Sequence, residues 1–194
     1  MKKRRNMGEG GKSISVVLLS GGIDSAACVR YYLDMNFRVK GLFIDYGQGA
    51  RDNERKSATQ IAKYYGIPLD KISLSPVKHF GPGEIRGRNA FFIMGVLLFY
   101  PRLKGILSLG IHSGTPYYDC SEQFIRDIKT IVDGYTSGEV RIEAPFLTWD
   151  KAMIYTYCKE KVIPIDLTYS CETGTTPPCG KCRSCKDREA LSVC

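Results

Sequence analysis

The chain has 194 residues, of which 43% are hydrophobic and 25% charged. That length fits one domain with a sizeable core, and the composition excludes disorder as a description of the whole. Lysine and arginine outnumber aspartate and glutamate 28 to 20, a net charge of +8. Residues 1–12 hold Lys2, Lys3, Arg4, Arg5 and Lys12 against Glu9 alone. Half of the basic excess therefore belongs to a tail expected to be flexible, which weakens any reading of the body as a nucleic-acid surface. The longest apolar run, Ala90–Tyr100, is too short to span a bilayer and stops at Pro101. The basic start lacks the apolar stretch of a secretory signal.

Ser15–Ser20 (SVVLLS) predicts a buried parallel strand that opens into a tight turn at Gly21 and Gly22. Asp24–Met35 predicts a helix with Ala27, Cys28, Tyr31, Tyr32 and Met35 on one stripe. Arg38–Tyr46 predicts the second strand. Arg51–Tyr65 predicts a helix that buries Ala58, Ile61, Ala62 and Tyr65 and ends at Gly66 and Pro68. Asp70–Leu74 reads as the third strand and Ser75–Gly87 as a loop. Asn89–Tyr100 is apolar on all sides and reads as a buried helix. Gly105–Ile111 is the fourth strand. Ser121–Tyr135 is a helix with Phe124, Ile125, Ile128 and Ile131 inward, Val140–Phe146 the fifth strand, and Asp150–Lys161 a helix. Strands alternating with helices predict an α/β fold, a doubly wound, five-stranded parallel sheet. The expected organisation is a tail at 1–12, an α/β domain at 13–165 and a cysteine-bearing segment at 166–194.

Ser20-Gly21-Gly22-Ile23-Asp24-Ser25 joins the first strand to the first helix. Two glycines let the backbone N–H groups approach an anion, and the helix N-terminus and two hydroxyls favour phosphate there. The loop matches neither GxxxxGK[ST] nor GxGxxG. Asp24 beside phosphates calls for a divalent ion between them, with Mg²⁺ the natural choice. Its plainer reading is a helix cap.

Eight cysteines are present, and Cys171, Cys179, Cys182 and Cys185 fall within fifteen residues. Pairs packed so tightly do not form mutual disulfides without strain, which points to thiolate ligation in a reducing, cytoplasmic setting. Four soft ligands in one compact segment favour a structural Zn²⁺ site, with an iron–sulfur cluster as the competitor.

The loop SGGIDS resembles the SGGxDS loop of the PP-loop ATP pyrophosphatase superfamily. With it stand Phe43-Ile44-Asp45-Tyr46-Gly47-Gln48, Gly87-Arg88-Asn89, Tyr118-Asp119-Cys120-Ser121-Glu122-Gln123-Phe124, Ile142-Glu143-Ala144-Pro145, and Ser170-Cys171 leading into PCGKCRSC. In this order the blocks resemble the 7-cyano-7-deazaguanine synthase (QueC) family, over Val16 to about Leu191. The resemblance implies an adenine nucleotide alpha hydrolase-like fold and an ATP-dependent carbon–nitrogen ligase. It implies that 7-carboxy-7-deazaguanine and ammonia become 7-cyano-7-deazaguanine through an acyl-adenylate, with AMP and pyrophosphate released. It gives Ser20, Gly21, Gly22, Asp24 and Ser25 to pyrophosphate and Mg²⁺, and Asp45 and Gln48 to nucleotide or metal. Arg88 would meet the substrate carboxylate or α-phosphate beside Asn89, and Asp119 would accept hydrogen bonds from the guanine-like edge. Catalysis would fall to Asp24, Ser25 and Arg88. The plainer alternatives make Asn89 and Asp119 helix-terminal residues with Arg88 in solvent. His79 and His112 are the only histidines; both read first as structural, with His112 the better candidate for a general base. A homodimer is implied by family analogy alone.

The sequence departs from the family in two places. It is short between the third strand and Arg88, and the His112–Tyr118 loop replaces an asparagine-plus-DYSGYPDC pattern. An open substrate side would suit a related ligase that transfers the adenylated deazaguanine carboxylate to a protein amine. A zinc-ribbon RNA-binding module and a tRNA-modifying PP-loop enzyme are the remaining readings. Charge concentrated in the tail, and the absence of a catalytic cysteine pair, count against them.

Overall fold

The computed structural model describes residues 12–74 and 80–192. Residues 1–11 of the expected tail, residues 75–79 with His79, and the last two residues lie outside the described residues. Five strands, β1 (Ile14–Leu18), β2 (Arg38–Asp45), β3 (Leu69–Ser73), β4 (Gly105–Ser108) and β5 (Val140–Glu143), form one sheet in the order β3-β2-β1-β4-β5. Every pairing is parallel. The chain works outward from β1 to β3, then crosses back to lay β4 on the other side of β1. The β1–β4 seam is therefore the switch point, where an open α/β sheet leaves a crevice beyond its carboxyl ends.

Alternation along the strands supplies two cores. Val17, Phe43 and Ile106 face one side, with α1 (Ile23–Asp34), α2 (Arg51–Tyr65) and α5 (Lys151–Glu160) packed over them through Ala27, Cys28, Tyr32, Ala58, Ile61, Ile154 and Cys158. Val16, Leu42, Leu107 and Ile142 face the other, under α3 (Arg88–Phe99) and α4 (Glu122–Thr136) through Ile93, Val96, Phe124 and Ile128. Phe146 is fully buried, its ring within 5.9 Å of those of Tyr31, Trp149 and Tyr157. Gly66 closes α2 in the left-handed region, as its sequence position predicts.

Several details differ from the sequence reading. Met35 is exposed at the end of α1, because the chain leaves the core face there. On α4 the buried stripe runs Phe124, Ile125, Ile128, Val132, and Ile131 points outward. At 100° per residue, position 132 lies nearer the centre of that stripe than 131. Helix α3 buries only Asn89, Ile93 and Val96 completely, while Phe91, Leu98 and Phe99 are exposed. Strands β4 and β5 stop three residues early. Leu109 N–H makes the last cross-bond, to the Glu143 carbonyl at 2.9 Å, and the chain then turns. Leu109, Ile111 and Phe146 stay buried beyond the ends of the strands, which is why their apolar character reads as strand. A sixth helix, α6 (Arg183–Ser192), begins just after Cys182 and carries Cys185 in its first turn. Its low hydrophobic content gives no periodic signal.

Candidate active site and metal centre

The crevice holds a cavity of about 340 Å³ over the carboxyl ends of β1, β2 and β4, walled on one side by α6. Ser20, Gly22, Asp24 and Ser25 line it, as do Gln48, Arg88 and Asn89. Three separate stretches of chain are thereby brought to one place. Gly21, Asp45 and Asp119 do not line it.

The loop at the end of β1 is held from below. Gly21 has φ +89°, and a Cβ there would lie 2.6 Å from the Glu54 carbonyl oxygen and 2.9 Å from Ser57 Cβ. Only glycine permits both the turn and the approach to α2. Tyr169 N–H donates to the Gly21 carbonyl at 2.9 Å, tying the segment before the cysteines to the same turn. Ser25 Oγ donates to the Gly22 carbonyl at 2.9 Å and lies 3.3 Å from Ser20 Oγ. Asp24 stands in the first turn of α1, where the helix dipole favours a carboxylate.

Asp24 has a partner that sequence reasoning missed. Lys151 Nζ lies 2.6 Å from Asp24 Oδ1 and 2.5 Å from Oδ2. The side chains are 26% and 20% exposed, so water screens the pair only in part. Lys151 is the first residue of α5, behind the Asp150 cap that accepts from Met153 N–H at 2.8 Å. A cation at a helix N-terminus opposes the dipole. That misfit was the one available signal that a distant carboxylate compensates it.

Gln48 is buried and its amide is fully engaged. Oε1 accepts from Tyr46 N–H at 2.9 Å, and Nε2 donates to the Ile44 carbonyl at 3.3 Å and to Glu54 Oε2 at 2.8 Å. Burial raises the Glu54 carboxyl above its ordinary range, and the Gln48 bond opposes this. Asp45 Oδ1 accepts from Gly47 N–H at 3.1 Å and so shapes the turn after β2. Asp119 is buried; its Oδ2 accepts from Asn89 N–H at 3.2 Å, and Asn89 Nδ2 donates to its carbonyl at 2.9 Å. It fixes the start of α3, and with it Arg88. Burial opposes the Arg88 charge, but Tyr46, Asp119 and Cys120 outweigh that and hold the guanidinium charged. Tyr46 also meets Phe80 and Phe92 at ring distances of 5.9 and 5.0 Å, and all three rings line the cavity beside Arg88. Burial pushes the Cys120 thiol up to about 11, which removes it as a nucleophile. Burial also raises Cys28, which packs in the core.

The four sulfurs of Cys171, Cys179, Cys182 and Cys185 lie within 4.8 Å of one another, with Cys179 and Cys185 at 4.0 Å. A tetrahedron of metal–sulfur bonds near 2.3 Å has edges of about 3.8 Å. The donor set therefore fits one tetrahedral ion with no open position. Burial opposes a Cys171 thiolate, but Cys179 N–H and the Thr173 hydroxyl outweigh it and lower its pKa. The segment is stitched to the α/β body by side chains. Asn53 Nδ2 donates to the Gly174 carbonyl at 2.9 Å, and Arg188 Nη2 donates to the Ile165 carbonyl at 3.1 Å. Glu172 Oε1 accepts from Ser184 N–H at 3.1 Å and caps α6.

The family model described as "Queuosine biosynthesis protein QueC" matches residues 14–86 and 83–191. The chain belongs to the QueC family. A relative from Prochlorococcus marinus strain MIT 9312, named 7-cyano-7-deazaguanine synthase, is 32% identical and covers 91% of this chain and 92% of its own length. A second of the same name, from Synechococcus sp. strain CC9605, is 30% identical over 91% of each chain. The alignment to the first runs over 209 positions, more than this chain has residues, so it opens gaps in this chain. Among solved structures, the NMN synthetase of Francisella tularensis superposes with a TM-score of 0.53 at 18% identity, over 84% of this chain and 67% of that one. This likeness shows the fold alone. Among the described residues no helix is long and apolar enough to cross a membrane.

Proposed function

We propose that this chain converts 7-carboxy-7-deazaguanine and ammonia to 7-cyano-7-deazaguanine with two ATP, each cleaved to AMP and pyrophosphate. The observation that carries the reading is the Ser20–Ser25 turn with its Asp24–Lys151 pair, set in a cavity at the switch point of the sheet. A substrate carboxylate oxygen attacks the α-phosphorus of ATP, and pyrophosphate leaves. Ammonia attacks the acyl carbon and expels AMP, giving the amide. The amide oxygen then attacks a second α-phosphorus. Loss of AMP and the nitrogen-bound protons leaves the nitrile.

Each chain element has a task in this sequence. The N–H groups of the turn, the Ser20 and Ser25 hydroxyls and the Lys151 ammonium would hold the departing pyrophosphate. The Asp24 carboxylate would hold the Mg²⁺ that accompanies the phosphates, and that ion would supply neutralisation of phosphate charge. Arg88 would take the substrate carboxylate or α-phosphate. The Tyr46, Phe80 and Phe92 rings offer faces on which a planar heterocycle can stack. Asp119, its Oδ2 engaged by Asn89, would act by placing Arg88 rather than by reading the base. Zn²⁺ is the proposed occupant of the four-cysteine centre, with a structural role.

Mass spectrometry after incubation with MgATP, 7-carboxy-7-deazaguanine and ammonium tests the reading. Nitrile with about two AMP per product is expected from the two activations. Accumulated amide, turnover only with a protein amine as acceptor, or release of ADP would each overturn it.

A further inference from the structure

We propose that His112 is a neutral hydrogen-bond donor of the cavity, offering Nε2–H to an anionic oxygen of a bound substrate. His112 lies past the end of β4, is 8% exposed and lines the cavity. Its Nδ1 accepts from Gly114 N–H at 3.0 Å. That lone pair is committed, so in the neutral ring the proton sits on Nε2. The opposite ring orientation would set a carbon against the Gly114 N–H.

The turn that makes this contact is pinned on both sides. Ser113 N–H and Oγ both donate to the Trp149 carbonyl, at 3.0 and 2.8 Å, and Arg183 of α6 donates to the Gly114 carbonyl. A Cβ on Gly114 would lie 2.9 Å from His112 Cε1, so the glycine is what lets the backbone reach the imidazole. Among the described residues no hydrogen bond is formed by Nε2.

The charged groups facing the ring are Lys151 on α5, Asp24 on α1, and Asp187 and Arg183 on α6. Burial, then Lys151, lower its pKa, against the pull of Asp24 and Asp187. The ring therefore stays neutral, and neither nitrogen is free to act as a base. What remains is an uncharged donor close to the Asp24–Lys151 pair. The oxygen it serves, on the nucleotide α-phosphate or the substrate carboxylate, rests on the function proposed above; the tautomer does not.

The test is ¹⁵N NMR of the imidazole rings in the full chain at pH 7, with His112→Gln identifying the resonance. The expected pattern is a protonated Nε2 and an unprotonated Nδ1. A downfield move of the Nε2 proton on adding Mg²⁺ and α,β-methylene-ATP assigns the phosphate. A move only with 7-carboxy-7-deazaguanine assigns the carboxylate. An Nδ1–H tautomer, an imidazolium, or a proton that neither ligand moves overturns the proposal. His112→Phe keeps the ring but has no donor, and should weaken binding of the responding ligand about 10- to 100-fold. His112→Gln, which restores a donor, should bind within roughly tenfold of the parent chain. Unchanged binding by His112→Phe, with unchanged metal content and melting temperature, would also overturn it. If the parent chain shows the tautomer and the ligand shift but releases no AMP, the proposed reaction fails and this assignment stands.

Discussion

The turn after β1 and the four-cysteine segment are both compact, yet they are built in opposite ways. Cys171, Cys179, Cys182 and Cys185 are neighbours in sequence, and their sulfurs converge because the chain is short between them. The turn at Ser20–Ser25 is contiguous too, but its surroundings come from far away. Lys151 is 127 residues from Asp24, and Tyr169 reaches the Gly21 carbonyl across most of the chain. One region gathers four sulfurs able to hold an ion and is tied down by a few anchoring hydrogen bonds. The other is held by the sheet and its two cores. Damage to the first should therefore loosen a wall of the cavity, and damage to the second should silence the chemistry in an intact protein.

The sharpest way to separate the two regions is Asp24→Ala. It should lower AMP formation by about 10³-fold, given what single electrostatic groups contribute at such sites. Metal content should not change, and a metal assay beside the turnover assay checks both halves. The reverse experiment is Cys182→Ser or prolonged chelation. Loss of a structural ion should lower the melting temperature by on the order of 10 °C. Hydrogen exchange should rise in α6 and leave β1 and β4 protected. Exchange rising evenly over the chain would merge the two regions into one cooperative unit.

Lys151→Met tests whether the distant partner belongs to the chemistry. It should reduce kcat/KM about 10- to 100-fold, since a partly buried carboxylate loses its counter-charge and the phosphates lose a cation. Gly21→Ala is a backbone test of the turn. The positive φ and the 2.6 Å approach to Glu54 predict a loss of about 1–3 kcal/mol, read by denaturant unfolding. The smallest effect is expected from Asn53→Ala, which cuts one stitch between α2 and the cysteine segment. About 1 kcal/mol should be lost, with exchange rising near Gly174 first.

Much of the fold was legible because parallel strands covered on both faces write continuous apolar runs, and β1 and β2 do so. Strand ends were not legible. Leu109, Ile111 and Phe146 are as apolar as strand residues but are buried against loops and helices. Helix α6 was invisible because its hydrogen bonds, not an apolar face, attach it. In the site, the residues carried by short motifs were found, and most of them line the cavity. The exceptions, Gly21, Asp45 and Asp119, have their polar groups turned to backbone work nearby. Lys151, Glu54, Phe80 and Phe92 carry no motif and were missed.

From its sequence alone this chain is an alternating α/β protein of the QueC family, with a glycine turn after its first strand and a cysteine set able to hold one ion. These properties are local, written in periods of two and 3.6 and in spacings of a few residues. Which carboxylate meets which ammonium, which nitrogen of His112 keeps its proton, and which helix walls the cavity were decided only by the tertiary structure. Those contacts join residues whose separation along the chain carries no periodic signal, and only the order of strands in the sheet brings them together.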